Sequence, residues 1–143
     1  MGDINGIYTI TNKINGKVYV GQSRDIVRRW REHKNDLNDN KHCNYKLQTD
    51  WNIYGADNFE FNLIYIIDGS CGGEKVKDNI RIVLEDIYIE RYDLINNGYN
   101  IEHTIKRLEL ENPKNIEVFS KVRNRFIDGL YLVDGIIIYG KHI

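Results

Sequence analysis

The stretch Gly6 to Gly21, GIYTITNKINGKVYVG, decides how the rest of the chain is read. Two short apolar and aromatic runs, Ile7-Tyr8-Thr9-Ile10 and Lys17-Val18-Tyr19-Val20, flank a loop carrying Asn15-Gly16, which is the pattern of a β-hairpin. Side chains alternate across a strand. Tyr8 therefore shares a face with Ile10, and Tyr19 with Lys17, while Val18 and Val20 turn to the other side as core. In an antiparallel pair the two phenols come close together beside an ammonium group.

After the hairpin, Gln22-Ser23 leads into helical spacing. Ile26/Val27, Trp30 and Leu37 fall on one face, with Ser23 placed to cap the start and Asp25 in the first turn. Arg24, Arg28 and Arg31 take the other side together with Arg29 and His33, which project side by side because they are four residues apart. A solvated basic face on an amphipathic helix would look the same. Beyond the polar segment Asn38 to Asn44, Leu47, Trp51 and Tyr54 recur at helical intervals, and Gly55 is a helix stop.

Phe59 to Ile67 then alternates, setting Phe59, Phe61, Leu63, Tyr65 and Ile67 on one face of a central strand. Asp68 to Gly73 reads as a flexible connector, since no GK[ST] follows it to make a phosphate loop. The longest helix begins near Glu74, with Val76, Ile80, Val83/Leu84, Ile87 and Arg91/Leu94 along its buried stripe, and ends before Asn96-Asn97-Gly98. Glu85 borders that stripe, on a face with Tyr88, Ile89 and Tyr92. A carboxylate in such a place is ordinarily half-exposed.

A chain of 143 residues makes one domain, or a domain of about 100 residues with an appendage. With 41% hydrophobic and 29% charged residues it falls in the soluble globular class. The start, MGDINGIYTI, has neither the basic segment nor the long apolar run of a signal peptide or membrane span. Cys43 and Cys71 are too few for a disulfide framework and lack metal-ligand spacing, so a reducing, cytoplasmic location is expected. A net charge of −1 argues against a broad non-specific grip on DNA. Residues 1–50, however, carry nine Lys/Arg against six Asp/Glu, residues 51–112 six against twelve, and residues 113–143 five against three. The positive surplus sits with the hairpin and at the C-terminus.

The motifs together resemble the GIY-YIG nuclease family. Gly6-Ile7-Tyr8, followed by Val18-Tyr19-Val20-Gly21 with Val20 in place of the middle Ile, is similar to the paired tripeptides of that family. Arg29 and His33 match its Arg and His after the second tyrosine. Trp51 to Phe59, WNIYGADNF, resembles its helix ending in Tyr-Gly before the third strand. In Leu84 to Ile101, LEDIYIERYDLINNGYNI, Glu85 corresponds to the metal-binding glutamate and Asn100 to the terminal asparagine. Glu90 is the competing glutamate, less well spaced to Gly98-Tyr99-Asn100. The resemblance runs from residue 6 to about 101. It departs where some members have a Lys directly after the second motif and this chain has Gln22, a gap that Lys17 could fill.

Strands in sequence order with helices between them, in keeping with the resemblance, give an α+β fold, a small three-stranded antiparallel sheet flanked by helices over residues 1–104. Beyond the resemblance, residues 105–143 read as a C-terminal helix and hairpin extension for packing, dimerisation or DNA contact. In the extension, Pro113 opens a helix with Ile116, Phe119, Phe126 and Ile127 inside and Lys114, Lys121, Arg123 and Arg125 outside. Leu130 to Tyr139, LYLVDGIIIY, reads as a hairpin on Asp134-Gly135. Its strands are too apolar to stand alone, and should pack on the domain, extend its sheet or pair with a second subunit in a homodimer.

The implied activity is metal-dependent DNA endonuclease chemistry, of a compact restriction-type or mobile-element or phage nuclease. The alternative is a non-catalytic nucleic-acid-binding or assembly module on the same scaffold. On the match, Glu85 ligates one hard cation, Mg²⁺ or Mn²⁺. Tyr8 or Tyr19 positions or deprotonates the attacking water, which requires neighbouring charge to depress a phenol pKa near 10. Arg29 contacts the scissile phosphate. His33 relays a proton or binds phosphate, and Asn100 orients a ligand or buttresses Glu85. Lys17, Arg24, Arg28, Arg31 and Lys46 are candidate contacts to the backbone of double-stranded DNA. His42, His103 and His142 show no partner pattern and read as surface.

Overall fold

In a computed structural model of the chain, residues 3–67, 72–128, 131–133, 136–138 and 141–142 are described, with side chains up to residue 123. β1 (Gly6–Asn12) pairs antiparallel with β2 (Val18–Ser23), setting Tyr8 opposite Gly21 and Ile10 opposite Tyr19. The expected hairpin is present. Gly16 closes it at φ +76, a left-handed conformation open to glycine, and donates to the Asn12 carbonyl at 2.8 Å. β2 begins at Val18, so Lys17 belongs to the turn rather than to the strand beside Tyr19.

β3 (Phe59–Ile66) lies antiparallel on the other side of β1, giving the three-stranded sheet. The middle strand of the three is β1. The apolar run of β3 does not keep to one face, because the register steps from Leu63 opposite Tyr8 to Tyr65 opposite Ile7, leaving Ile64 as an extra residue. Such a bulge reverses the alternation. Phe59, Phe61 and Leu63 accordingly pack with Tyr8 and Ile10, whereas Tyr65 and Ile67 pack with Ile7 and Val20.

These two cores are covered by different helices. α1 (Ile26–Asn38) and α2 (Tyr45–Tyr54) cover the Tyr8 side, contributing Ile26, Leu37, Leu47 and Trp51. The cap of α1 is Asp25, whose side chain accepts from the Arg28 N–H, and not Ser23, which ends β2 and accepts from the Asp25 N–H. The buried stripe runs Ile26, Trp30, His33, Leu37, so Val27 is exposed and His33 is on the inner face rather than the basic one. Gly55 ends α2 at φ +87, as its position suggested.

α3 (Glu74–Arg91) covers the Ile7 side through Ile80, Val83, Leu84 and Ile87, and packs against β2. Val76, expected on that stripe, is exposed. Arg81 fastens the helix to the hairpin. Only 4% exposed, it donates to Gln22 at 2.8 Å and to Asn5 at 2.7 Å, and its remaining nitrogen meets Asp78.

α4 (Thr104–Glu111) and α5 (Lys114–Asp128) add Ile105 and Phe119 to the α3 core. Ile116, expected inside, is half-exposed. β4 (Tyr131–Val133) and β5 (Ile136–Ile138) pair with each other, and β6 (Lys141–His142) adds a fourth strand to the sheet at Tyr65 and Ile66. The connector at 68–71 with Cys71, the Asp134-Gly135 turn, the packing of Phe126 and Ile127, the side of Arg125 and the side chain of His142 lie outside the described residues. No helix among the described residues is long and apolar enough to cross a membrane.

Candidate active site

β1 and β2 bring the two phenols onto one face, with ring centroids 6.4 Å apart. Gly21 makes this possible. A Cβ there would sit 2.5 Å from both Cζ and Oη of Tyr8 and 3.0 Å from Cε1 of Tyr19, so the last glycine of the second motif is the floor on which the phenols lie. α1 supplies the next two groups. His33 Nε2 is 2.6 Å from the Tyr8 hydroxyl, with its ring edge-on to both tyrosines. Arg29, one turn earlier, is within hydrogen-bonding reach of the Tyr8 oxygen, and its charge acts on both phenols.

α3 brings Glu85 close enough for its charge to be felt by Tyr8 and Tyr19. Glu90 is one of the groups turned outward: its side chain is 61% exposed and pairs with Arg123 at 3.0 Å. The geometry therefore separates the two glutamates that spacing left in competition. Glu85 Oε1 accepts from the Thr104 hydroxyl at 3.1 Å, so the start of α4 helps to orient it.

Burial dominates the electrostatics. It pushes the Tyr8 phenol well above its ordinary value, helped by the neighbouring Tyr19 and opposed by Arg29. Tyr19 is pushed up to about 12 for the same first reason, with Glu85 adding to it and Arg29 opposing. Burial, then Arg29 and His42, bring His33 down to about 3. Glu85 keeps a window to solvent, but burial raises it to about 7, against the Thr104 hydrogen bond and with repulsion from Asp86 and Glu102. Near neutrality the imidazole and both phenols are thus uncharged, Arg29 is a fixed cation, and Glu85 is poised between its two forms.

Asn100 is buried beside this group but does not touch Glu85. Its amide accepts from the Val20 N–H and donates to the Val20 carbonyl, both at 3.0 Å, while the Tyr99 N–H donates to the Val18 carbonyl at 2.9 Å. The Gly98-Tyr99-Asn100 segment thereby satisfies the outer edge of β2 as a neighbouring strand would.

The candidate phosphate contacts divide. Lys46 Nζ is held by the Ile95 and Asn100 carbonyls at 2.6 and 3.3 Å, which makes it a brace between α2 and the turn after α3. Arg24 pairs with Asp78 at 2.6 Å, and Arg28 with Glu32 at 3.6 Å. Arg31 and Lys17 are exposed and without an ion pair among the described residues. Lys17 lines a pocket with Asp50 and Tyr99, away from the phenols.

Two histidines read as surface have buried partners. His103 Nδ1 lies 3.2 Å from Asp86. His42 Nε2 lies 2.6 Å from His33 Nδ1, the rings nearly coplanar at 18°. His42 sits in the loop before α2, where no periodicity exists to announce it. The Asn44 cap two residues on was its nearest signal.

The chain matches the GIY-YIG catalytic domain over residues 4–115. It is 35% identical over 96 residues to intron-associated endonuclease 1 of Enterobacteria phage T4, an alignment covering 67% of this chain and 36% of that protein. It is 30% identical over 100 residues to probable intron-encoded endonuclease 1 of Neurospora crassa, covering 70% and 31%. The chain thus spans about a third of the length of these curated relatives. Two solved structures of the catalytic domain of the intron (homing) endonuclease I-TevI superpose with TM-scores of 0.61 and 0.59 at 33% and 34% identity. They cover 71% and 68% of this chain, and 96% and 98% of theirs. A hairpin with paired tyrosines, an Arg and a His on the next helix and a facing glutamate are therefore accompanied by a match over most of the length, and the chain belongs to the GIY-YIG catalytic domain family.

Proposed function

We propose that the chain is the catalytic domain of a DNA endonuclease of the mobile-element or phage kind, hydrolysing phosphodiester bonds in duplex DNA with a divalent cation. The observation that carries the reading is the meeting of Tyr8, Tyr19, Arg29 and His33 at one place within the field of Glu85. The names of the relatives, intron-associated and intron-encoded endonucleases, support the same class.

Hydrolysis needs a deprotonated nucleophile, stabilisation of charge on the phosphorus oxygens and relief of the leaving oxygen. Arg29 offers a fixed guanidinium fork to two phosphate oxygens. A phenol of the Tyr8–Tyr19 pair orients the water. To take its proton the phenol must first give up its own, which burial opposes, contrary to the expected depression of its pKa, and which the donors directed at the Tyr8 oxygen from His33 and Arg29, together with a bound cation, would favour. Asn100 keeps Tyr19 in place through the residue beside it. Arg31, exposed on α1 and without an ion pair among the described residues, presents positive charge to the DNA backbone, whereas Arg24 and Arg28 would have to exchange Asp78 and Glu32 for phosphate.

Glu85 suits a hard cation. It is a single carboxylate with Asp86 and Glu102 adding negative charge around it, and no cluster of three or more His, Cys, Asp or Glu able to hold a metal is found among the described residues. That donor set fits an ion that fills its remaining positions with water and phosphate oxygens, such as Mg²⁺ or Mn²⁺, rather than one requiring a protein cage. When bound, the ion would neutralise charge on the phosphate. Residues 1–104 hold all these groups, including Thr104, whose hydroxyl orients Glu85, and 105–143 form the extension.

Incubating supercoiled plasmid and a randomised duplex library with the chain tests this, with Mg²⁺, with Mn²⁺ and with EDTA. Nicked or linear products that need the ion and vanish with Glu85→Ala are expected. Intact DNA under every condition, or a Glu85→Ala variant that cuts as well as the unaltered chain, would overturn the reading.

A further inference from the structure

The hydrogen bonds behind Tyr8 form a chain whose direction is set at one end by the backbone. The Asn44 N–H donates to Nδ1 of His42 at 3.0 Å. A backbone amide can only donate, so this ring nitrogen carries no proton. His42 is held in its neutral form, and its single ring proton must therefore be on Nε2. That nitrogen lies 2.6 Å from His33 Nδ1, which must be the acceptor. The same argument passes to the second ring: His33 is neutral, its Nδ1 accepts, and its proton is on Nε2, 2.6 Å from the Tyr8 oxygen. Two imidazoles in series thus carry the polarity of one peptide N–H to a phenol.

We propose that His42 is a positioning residue: anchored by the Asn44 amide, it fixes His33 as the Nε2–H tautomer, so that the Tyr8 oxygen receives a hydrogen bond and its own O–H is directed away from His33. The inference rests on the reading of Tyr8 and His33 as members of the active site. Tyr19 is treated differently. Its ring touches that of His33, with centroids 5.5 Å apart, while the Nε2 hydrogen bond goes to Tyr8. Of the two phenols, Tyr8 is the one whose oxygen gathers N–H donors, from His33 and from Arg29. Donors to a phenol oxygen favour its anionic form. The device therefore distinguishes two tyrosines that the sequence leaves equivalent.

The loop is built to hold His42 in this attitude. Gln48 accepts from the His42 N–H at 3.0 Å and donates to the Leu37 carbonyl at 3.0 Å, tying the residue to the end of α1. The Asn44 side chain caps α2 at Leu47 and donates to the Tyr99 carbonyl at 2.6 Å, which fixes the peptide whose N–H starts the chain. An imidazole held at both ends is the means by which one ring nitrogen of a partner is selected.

Nitrogen-15 NMR of the imidazole rings in the unaltered chain reads the tautomers directly. Both His33 and His42 are expected as Nε2–H forms, assigned by their loss in single substitutions. In His42→Phe, the spectrum of His33 should shift toward the Nδ1–H form, with a loss of about ten- to a hundredfold in single-turnover cleavage. His42→Gln, whose amide can again donate to His33 Nδ1, should restore most of both. An Nδ1–H form of either histidine in the unaltered chain overturns the proposal. So does a His42→Phe variant in which either the His33 spectrum or the rate is unchanged. The ring spectra decide the tautomer whether or not the chain cuts DNA, so a failure here is distinct from a failure of the endonuclease reading, which an inactive unaltered chain would signal.

Discussion

Asn100 holds Val20 by both backbone groups, N–H and carbonyl, at 3.0 Å each. Because the Tyr99 N–H also donates to the Val18 carbonyl, Tyr19 sits between two anchored peptides at the edge of the sheet. Asn100→Ala should leave both Val20 groups short of partners and lower stability by about 2–4 kcal/mol. Asn100→Asp should do comparable harm, because an oxygen would then face the Val20 carbonyl. Urea unfolding midpoints check both, and a variant as stable as the unaltered chain would show the contact to be dispensable.

Gly21→Ala tests the floor under the phenols. A methyl group 2.5 Å from the Tyr8 ring cannot be accommodated without moving that ring off its bond to His33. Overpacking of this kind costs about 1–3 kcal/mol. Cleavage should fall more steeply than the midpoint, since the damage is centred on Tyr8. Unchanged cleavage by a folded Gly21→Ala variant would mean that Tyr8 tolerates displacement.

Gln22 stands where some family members have a lysine, and its partner explains the difference. Its side-chain oxygen accepts from Arg81, a buried guanidinium that also reaches Asn5 and Asp78. Gln22→Lys would remove the acceptor and set a second cation against the first, lowering stability by about 1–3 kcal/mol. Arg81→Met should cost about 2–4 kcal/mol by leaving two amide oxygens without their donor, and should loosen α3 against the hairpin. Thermal unfolding of both variants checks this.

Two pH dependences of opposite sign are expected. Glu85 is raised from 4.5 to about 7, so the folded chain binds more protons than the unfolded one in that window, and stability contributed by this group is lost as pH rises through it. Glu85→Gln should flatten that fall, and Mg²⁺ should raise the melting temperature at pH 8 in the unaltered chain but not in the variant. His33 is lowered from 6.5 to about 3, so its contribution runs the other way: stability is lost as pH falls below 6.5. His33→Gln should flatten the acid side. Melting temperatures from pH 4 to 8 separate the two.

The hairpin and the phenol pair were legible because strand alternation and an Asn-Gly turn are local patterns, readable without knowing what packs on them. Spacing to Gly98-Tyr99-Asn100 favoured Glu85 over Glu90, and the physical reason came only with the placement of α3, whose docking against β2 turns Glu90 outward to Arg123. His33 was read as part of a basic face because arginines surround it in sequence. Burial within an otherwise charged helix depends on the neighbour, here Tyr8, and no window of α1 contains that information. Lys46 and Arg24 show the same limit from the other side: a cation looks available until the carbonyls or carboxylates that occupy it are brought near by the fold. His42 and the bulge at Ile64 are properties of pairs of segments distant in the chain.

The bulge at Ile64 also bears on how the molecule comes apart. Since β3 gives Phe59, Phe61 and Leu63 to the layer under α1 and α2, and Tyr65 to the layer under α3, where Ile67 just beyond it follows, its eight residues splint the two halves together. Neither half can melt while the other stays intact without tearing that strand from its neighbour. Tyrosine pair and glutamate, lodged in different halves, should accordingly be lost in a single cooperative step.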